Sequence, residues 1–221
     1  MKRILVFGDS NSWGYTDEDN GQRYEKRWPI LLSQELIQKG FNTEIIEDCL
    51  PGRTTNIDDP QDGIHLNGAK VLKSSLLSHS PIDLVILMLG TNDLKFRFQR
   101  TAENIADGIK ELIQIVLDTN SGSGGWHDVN KSNLVVICPP SLGEKSYDPN
   151  WINFKEWEGG LEKSTELHFS FEKVCSQMGV HLIDANEFCQ SSSIDPIHWS
   201  KKMHLKFSEN LAKIIDQKIK L

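Results

Sequence analysis

"RILVFGDSNSWGY" (Arg3–Tyr15) runs an uninterrupted apolar stretch, Ile4 to Phe7, straight into glycine, aspartate and serine. An apolar run without polar alternation reads as a strand covered on both faces, with "GDS" as the turn at its C-terminal end. "RILVF" (3–7) has four counterparts further along: "TEIIED" (43–48), "DLVILML" (83–89), "NLVVIC" (133–138) and "VHLID" (180–184). Helical periods separate them. Trp28, Leu32 and Leu36 recur every fourth residue, with Pro29 near the start and Gly40 past the end, the asymmetry of helix termini. A looser helix is expected from Leu66 to His79. From a Thr101 N-cap, Ile105, Ile109, Leu112 and Val116 follow one helical face, as do Leu167, Phe171, Val174 and Met178, and finally Leu211, Ile215 and Ile219.

Five β-α repeats predict a three-layer α/β/α domain spanning 1–221, with a parallel five-stranded sheet in the flavodoxin-like order 2-1-3-4-5. Two segments fall outside the repeat: "NSGSGGWHDVNKSN" (120–133), read as an exposed loop, and "PPSLGEKSYDPNWINFKEWEGG" (139–160), an insertion able to cover a site.

Composition narrows the function classes. The chain has 221 residues, 38% hydrophobic and 25% charged, with 24 basic against 31 acidic side chains and a net charge of −7. That balance argues against a nucleic-acid partner, and no basic run suggests a membrane surface. The apolar run near the N-terminus is too short for a signal-peptide core, so a cytoplasmic location is expected. Cys49, Cys138, Cys175 and Cys189 are widely spaced and read as reduced structural thiols. The histidines have no metal-ligand spacing, and the carboxylates of "NIDDPQD" (56–62) lack a calcium-loop pattern; neither metal nor cofactor is expected. G-x-S-x-G, G-x-G-x-x-G and Walker A motifs are absent.

In an open parallel sheet, ligands bind beyond the C-terminal strand ends where strand order reverses. In the expected order, "GDS" and "LGTND" (89–93) flank that crevice, "CLPGRTT" (49–55) adjoins it, and "DPIHWS" (195–200) follows the fifth strand. Pro196 favours a helical turn that would put Asp195 and His198 on one side. A carboxylate can then hold one imidazole nitrogen while the other acts as base on a serine. Oxyanion donors would be the Ser10 and Gly52 N–H groups and the Asn92 side-chain amide. Taken singly, each has a plain structural reading as a turn or cap residue.

Together, in the order Ser10, Gly52, Asn92, then Asp195 and His198, these blocks resemble the SGNH or GDSL hydrolase superfamily. The resemblance runs from residue 4 to about 210. "GDSNSWGY", "GRTTNIDDP" (52–60), "LNGA" (66–69) and "LVILMLGTNDLK" (84–95) are similar to its arylesterase and acyltransferase branch, which has carbohydrate-deacetylating relatives. Gly52 departs from the acyltransferase pattern, which has alanine there; a backbone donor tolerates the change. The resemblance implies Ser10 as nucleophile, His198 as general base and then acid, Asp195 as its orienter, and Ser10, Gly52 and Asn92 as oxyanion donors. It leaves Asp9 a structural role in the turn. It also implies a small-molecule ester substrate, mainly acetyl, an acyl-enzyme, possible transfer to alcohols, and a homo-oligomer. Acetylated xylo-oligosaccharides are an alternative substrate, and a non-catalytic flavodoxin-like binding module is the rival reading. Trp13 is expected either to border the acyl pocket or to pack in the core. Trp151, Phe154 and Trp157 could cap an apolar channel or make an oligomer contact, and Ile197 is counted with the pocket.

Overall fold

The structure is a computed structural model that describes residues 1–219. Its sheet comprises β1 (Lys2–Gly8), β2 (Thr43–Cys49), β3 (Leu84–Met88), β4 (Asn133–Cys138) and β5 (His181–Asp184). All neighbouring pairs are parallel, in the order β2-β1-β3-β4-β5. This is the three-layer, flavodoxin-like arrangement expected from the sequence.

The unbroken apolar runs are explained by cover on both faces. Successive strand residues point to opposite sides. Leu5, Phe7, Val85, Leu87, Val136 and Cys138 join a core with α3 (Gly68–His79), α4 (Ala102–Asp118) and α6 (Gly160–Met178). Ile4, Val6, Leu84, Ile86, Met88, Val135 and Ile137 join a second core with α2 (Trp28–Gln38) and α7 (Lys201–Lys218). Each fully buried side chain of this kind stabilises the fold by about 1.5–3 kcal/mol. Two one-turn helices complete the set, α1 (Ser10–Trp13) after β1 and α5 (Phe154–Trp157) before α6.

Boundaries follow local chemistry. Thr101 and Asn104 form a reciprocal capping box at the start of α4. The helix expected from Leu66 begins instead at Gly68, because the Asn67 side chain accepts from the Ala69 N–H and caps it there. Ile219 lies just beyond the last turn of α7, in extended backbone. Residues 123–131 form an exposed loop. All four cysteines are free, and burial pushes the Cys175 thiol up to about 12. Among the described residues no helix is long and apolar enough to cross a membrane.

Candidate active site

The turn after β1 is built to present one hydroxyl. Gly8 is required by close packing: a Cβ there would lie 2.3 Å from Ser12 Oγ. Asp9 then caps α1, its Oδ1 accepting from the Asn11 N–H at 3.1 Å. Burial pushes the Asp9 carboxyl up to about 6, against the Asn11 amide, the His198 charge, the Thr91 hydroxyl and the Arg53 charge. Ser10 follows as the first residue of α1, and Gly14 ends the turn at φ +97°.

Two further strand ends converge on it. Gly52 sits at φ +86°, where its turn needs glycine. Asn92, after β3, donates one Nδ2 hydrogen to the Arg53 carbonyl at 3.2 Å and keeps the other. The Ser10 and Gly52 N–H groups have no backbone acceptor among the described residues, as an anion-binding pair requires. Buried residues outside the expected set hold these loops together. Arg53 donates to the Gly8 carbonyl at 3.3 Å and to Asp48 Oδ1 at 2.7 Å. Asp93 accepts from the Thr55 N–H, the Thr55 hydroxyl and Arg100 at 2.9, 2.6 and 2.7 Å. Burial still raises its carboxyl above the usual range.

Asp195 and His198 meet Ser10 from the other side. His198 Nε2 lies 3.0 Å from Ser10 Oγ, and His198 Nδ1 lies 2.6 Å from Asp195 Oδ2. Asp195 Oδ1 accepts from the Ile197 and His198 N–H groups at 2.8 and 3.3 Å. The segment is thus a bend organised by the Asp195 side chain, not the turn of helix expected from Pro196. Burial works against the Asp195 charge, but the His198 hydrogen bond and charge and the two amides outweigh it and hold the carboxyl below its usual range. Asn11 Nδ2 donates to the Ile197 carbonyl at 3.1 Å, tying the bend to the Ser10 turn. The Tyr15 ring stacks on His198 with centroids 4.0 Å apart. A hydroxyl, an imidazole with one nitrogen on it, and a carboxylate on the other nitrogen form a hydrogen-bonded series of the kind that can activate a serine for acyl transfer.

The model of the GDSL-like lipase/acylhydrolase family matches residues 6–206. The chain belongs to that family of ester-hydrolysing enzymes. An arylesterase of Vibrio mimicus is 29% identical over 147 residues, 66% of this chain and 60% of that protein; the match therefore spans less than two thirds of the relative. Two solved structures align over 98% of this chain and 99% of their own. Est24, a carbohydrate acetylesterase from Sinorhizobium meliloti, is 35% identical with a TM-score of 0.87. An inhibitor-bound aryl esterase of M. smegmatis is 38% identical with a TM-score of 0.86.

In this GDSL-family chain a cleft of about 240 Å³ opens beside Ser10, lined by Gly52, Asn92 and His198 from the strand ends and the bend, and by Asn153, Glu156 and Trp157 from the 139–160 segment. Ile197 lines it as expected, and Tyr15 and Lys95 do so as well. Trp13, Trp151 and Phe154 are not among the described lining residues. Trp13 ends the α1 turn, and its ring takes the Arg23 guanidinium at 5.4 Å. Trp151 packs against the α4–α6 core. Phe154 and Trp157 share the single turn of α5, and Trp157 is the buried one of the pair. Asn153, Glu156 and Trp157 of the 139–160 segment thus line this cleft, and the segment's Gly143 N–H donates to the Pro196 carbonyl at 2.8 Å. The carboxylates of 56–62 are used in ion pairs: Asp59 and Asp62 with Arg97, and Asp58 with Lys70.

Proposed function

We propose that the protein is a serine esterase that cleaves short acyl esters, acetyl above all, through a covalent acyl-enzyme. The observation that carries this reading is the pair of contacts on His198, 3.0 Å to Ser10 Oγ and 2.6 Å to Asp195. Ser10 Oγ attacks the ester carbonyl while His198 Nε2 takes its proton. The developing oxyanion is met by the N–H groups of Ser10 and Gly52 and the free Asn92 hydrogen. His198, its cation stabilised by Asp195, returns the proton to the departing alcohol. Water then repeats the sequence on the acyl-serine, and an added alcohol in its place gives transfer. A cleft of about 240 Å³ is small beside the ~300–1,000 Å³ of ordinary ligand pockets, which supports a short acyl group.

A carbohydrate acetylesterase is the second reading, favoured by the match to Est24 over nearly the whole chain. Hydrolysis of 4-nitrophenyl acetate, butyrate and octanoate by wild type and Ser10→Ala tests the first. Turnover falls with chain length, and the variant loses about 10³-fold or more. A variant that matches wild type sinks the proposal, and a wild type inert to a fluorophosphonate probe favours a non-catalytic binding module.

A further inference from the structure

The part of the cleft lining that includes Lys95 and Glu156 carries paired charges that ester cleavage does not use. Lys95 follows the "GTND" turn, and its side chain is only 10% exposed. Its ammonium lies 3.1 Å from Glu156 Oε1 and 5.6 Å from the centre of the Trp157 ring. Arg97 Nη1 donates to the same Oε1 at 2.9 Å. Both cations are closest to one oxygen, Glu156 Oε2 accepts no hydrogen bond from the protein among the described residues, and the side chain remains 35% exposed. Arg97 is itself matched by Asp59 at 2.5 Å and Asp62 at 2.9 Å. The group therefore sets three carboxylates against two cations, which argues against an anionic ligand. What it offers is a fixed donor and a fixed acceptor side by side. The same cleft is lined by the apolar side chains of Tyr15, Trp157 and Ile197. An aryl or alkyl alcohol would pack on those side chains and leave the remaining donor and acceptor capacity of the charged pair unmet, at the cost of its desolvation. A ring with hydroxyls on its edge and C–H groups on its face answers both the charged and the apolar part of the lining.

We infer that Lys95 and Glu156 are the specificity-determining pair for a polyhydroxylated leaving alcohol: the ammonium donates to one hydroxyl, Glu156 Oε2 accepts from another, and Trp157 covers the C–H face. This rests on Ser10 being the nucleophile of the same cleft.

The experiment compares kcat/KM for a mono-acetylated methyl xyloside and for cyclohexyl acetate, a secondary ester of the same ring size without hydroxyls. Wild type is expected to prefer the xyloside by about 10-fold or more, the range for hydrogen bonds to charged groups. In Lys95→Met and in Glu156→Gln that ratio falls towards one. A merely structural role of the pair lowers both substrates in parallel and leaves the ratio unmoved, which overturns the inference. So does a wild type that cleaves 4-nitrophenyl acetate but shows no preference for the xyloside, a result independent of whether the variants fold. Failure of the underlying reading looks different: Ser10→Ala then retains turnover of every ester.

Discussion

On one side of the cleft, Ser10, Gly52 and Asn92 leave the ends of β1, β2 and β3, three adjacent strands of one sheet. The rest of the lining includes Asn153, Glu156 and Trp157, which come from one segment between β4 and α6, held to the segment after β3 by Arg97 and Lys95. The first wall is positioned by backbone geometry, glycine turns and buried caps. The second is positioned by side-chain ion pairs on a single turn of helix. A site that must hold reacting atoms within a fraction of an ångström gains from strand ends, which move only with the core. A wall that sets which alcohol enters can be carried on an insertion without disturbing the sheet. The comparison predicts that damage to the first wall is read in kcat, and damage to the second in selectivity and stability.

The severest test is Asp195→Asn. It keeps the shape of the bend but cannot hold His198 in the same tautomer, and kcat for 4-nitrophenyl acetate is expected to fall by about 10⁴. Thermal unfolding measured beside it should move little by comparison; a large loss of stability with modest loss of kcat would make Asp195 a cap only. Next comes Arg97→Met. It removes the cation from Asp59, whose side chain is fully buried, and breaking such a pair costs about 3–5 kcal/mol. Urea unfolding should show that loss, while the preference for acetate over octanoate narrows as the wall loosens. If kcat instead collapses as in Asp195→Asn, the two walls are not separable.

Asn92→Ala sharpens the comparison within the first wall. Loss of one oxyanion donor is expected to lower kcat by about 10²–10³. The hydrogen bond to the Arg53 carbonyl goes too, at about 1 kcal/mol of stability. A fall in kcat below about threefold would leave the two backbone N–H groups as the whole oxyanion site.

The strand-end wall was legible in the sequence because its cause is local. A four-residue apolar run covered on both faces, followed by Gly-Asp-Ser, says where the chain stops being sheet and what stands there. Asp195 and His198 were legible because three residues of spacing suffice to put one against the other. The insertion wall was not. Trp13, Trp151 and Phe154 drew attention by size, but which way a ring turns on a one-turn helix depends on neighbours that spacing does not name. Of the three insertion aromatics it is Trp157 that lines the cleft among the described residues, and Tyr15, which was not expected there, lines it too. The residues that join the loops were invisible for the same reason. Arg53 reaches the Gly8 carbonyl across 45 residues, and Asp93 meets Thr55 across 38. Only the strand order brings such pairs together.

The weakest effect in the first wall is one that wild type hides. Asp9, beneath Ser10, has its carboxyl pushed up to about 6 by burial, from 3.8. His204, buried beside Trp28 and Trp199, is pushed down to about 4 by burial, from 6.5. Between pH 3.8 and 6 the folded chain keeps an Asp9 proton that the unfolded chain has released, so this group makes stability fall as pH rises. Between pH 4 and 6.5 the unfolded chain binds a His204 proton that the folded chain refuses, so this group makes stability rise with pH. Each shift corresponds to about 3 kcal/mol over its window, and from pH 4 to 6 the two slopes oppose and nearly cancel. Asp9→Asn keeps the cap on α1 and removes only the falling branch. The variant is therefore expected to match or trail wild type near pH 4 and to gain on it by about 1.4 kcal/mol per pH unit up to pH 6, then run parallel. Urea unfolding at pH 4, 5, 6 and 7 reads this directly. Parallel profiles from pH 4 upward would mean that Asp9 is ionised throughout, and that the strand-end wall holds a buried negative charge under His198 at every working pH.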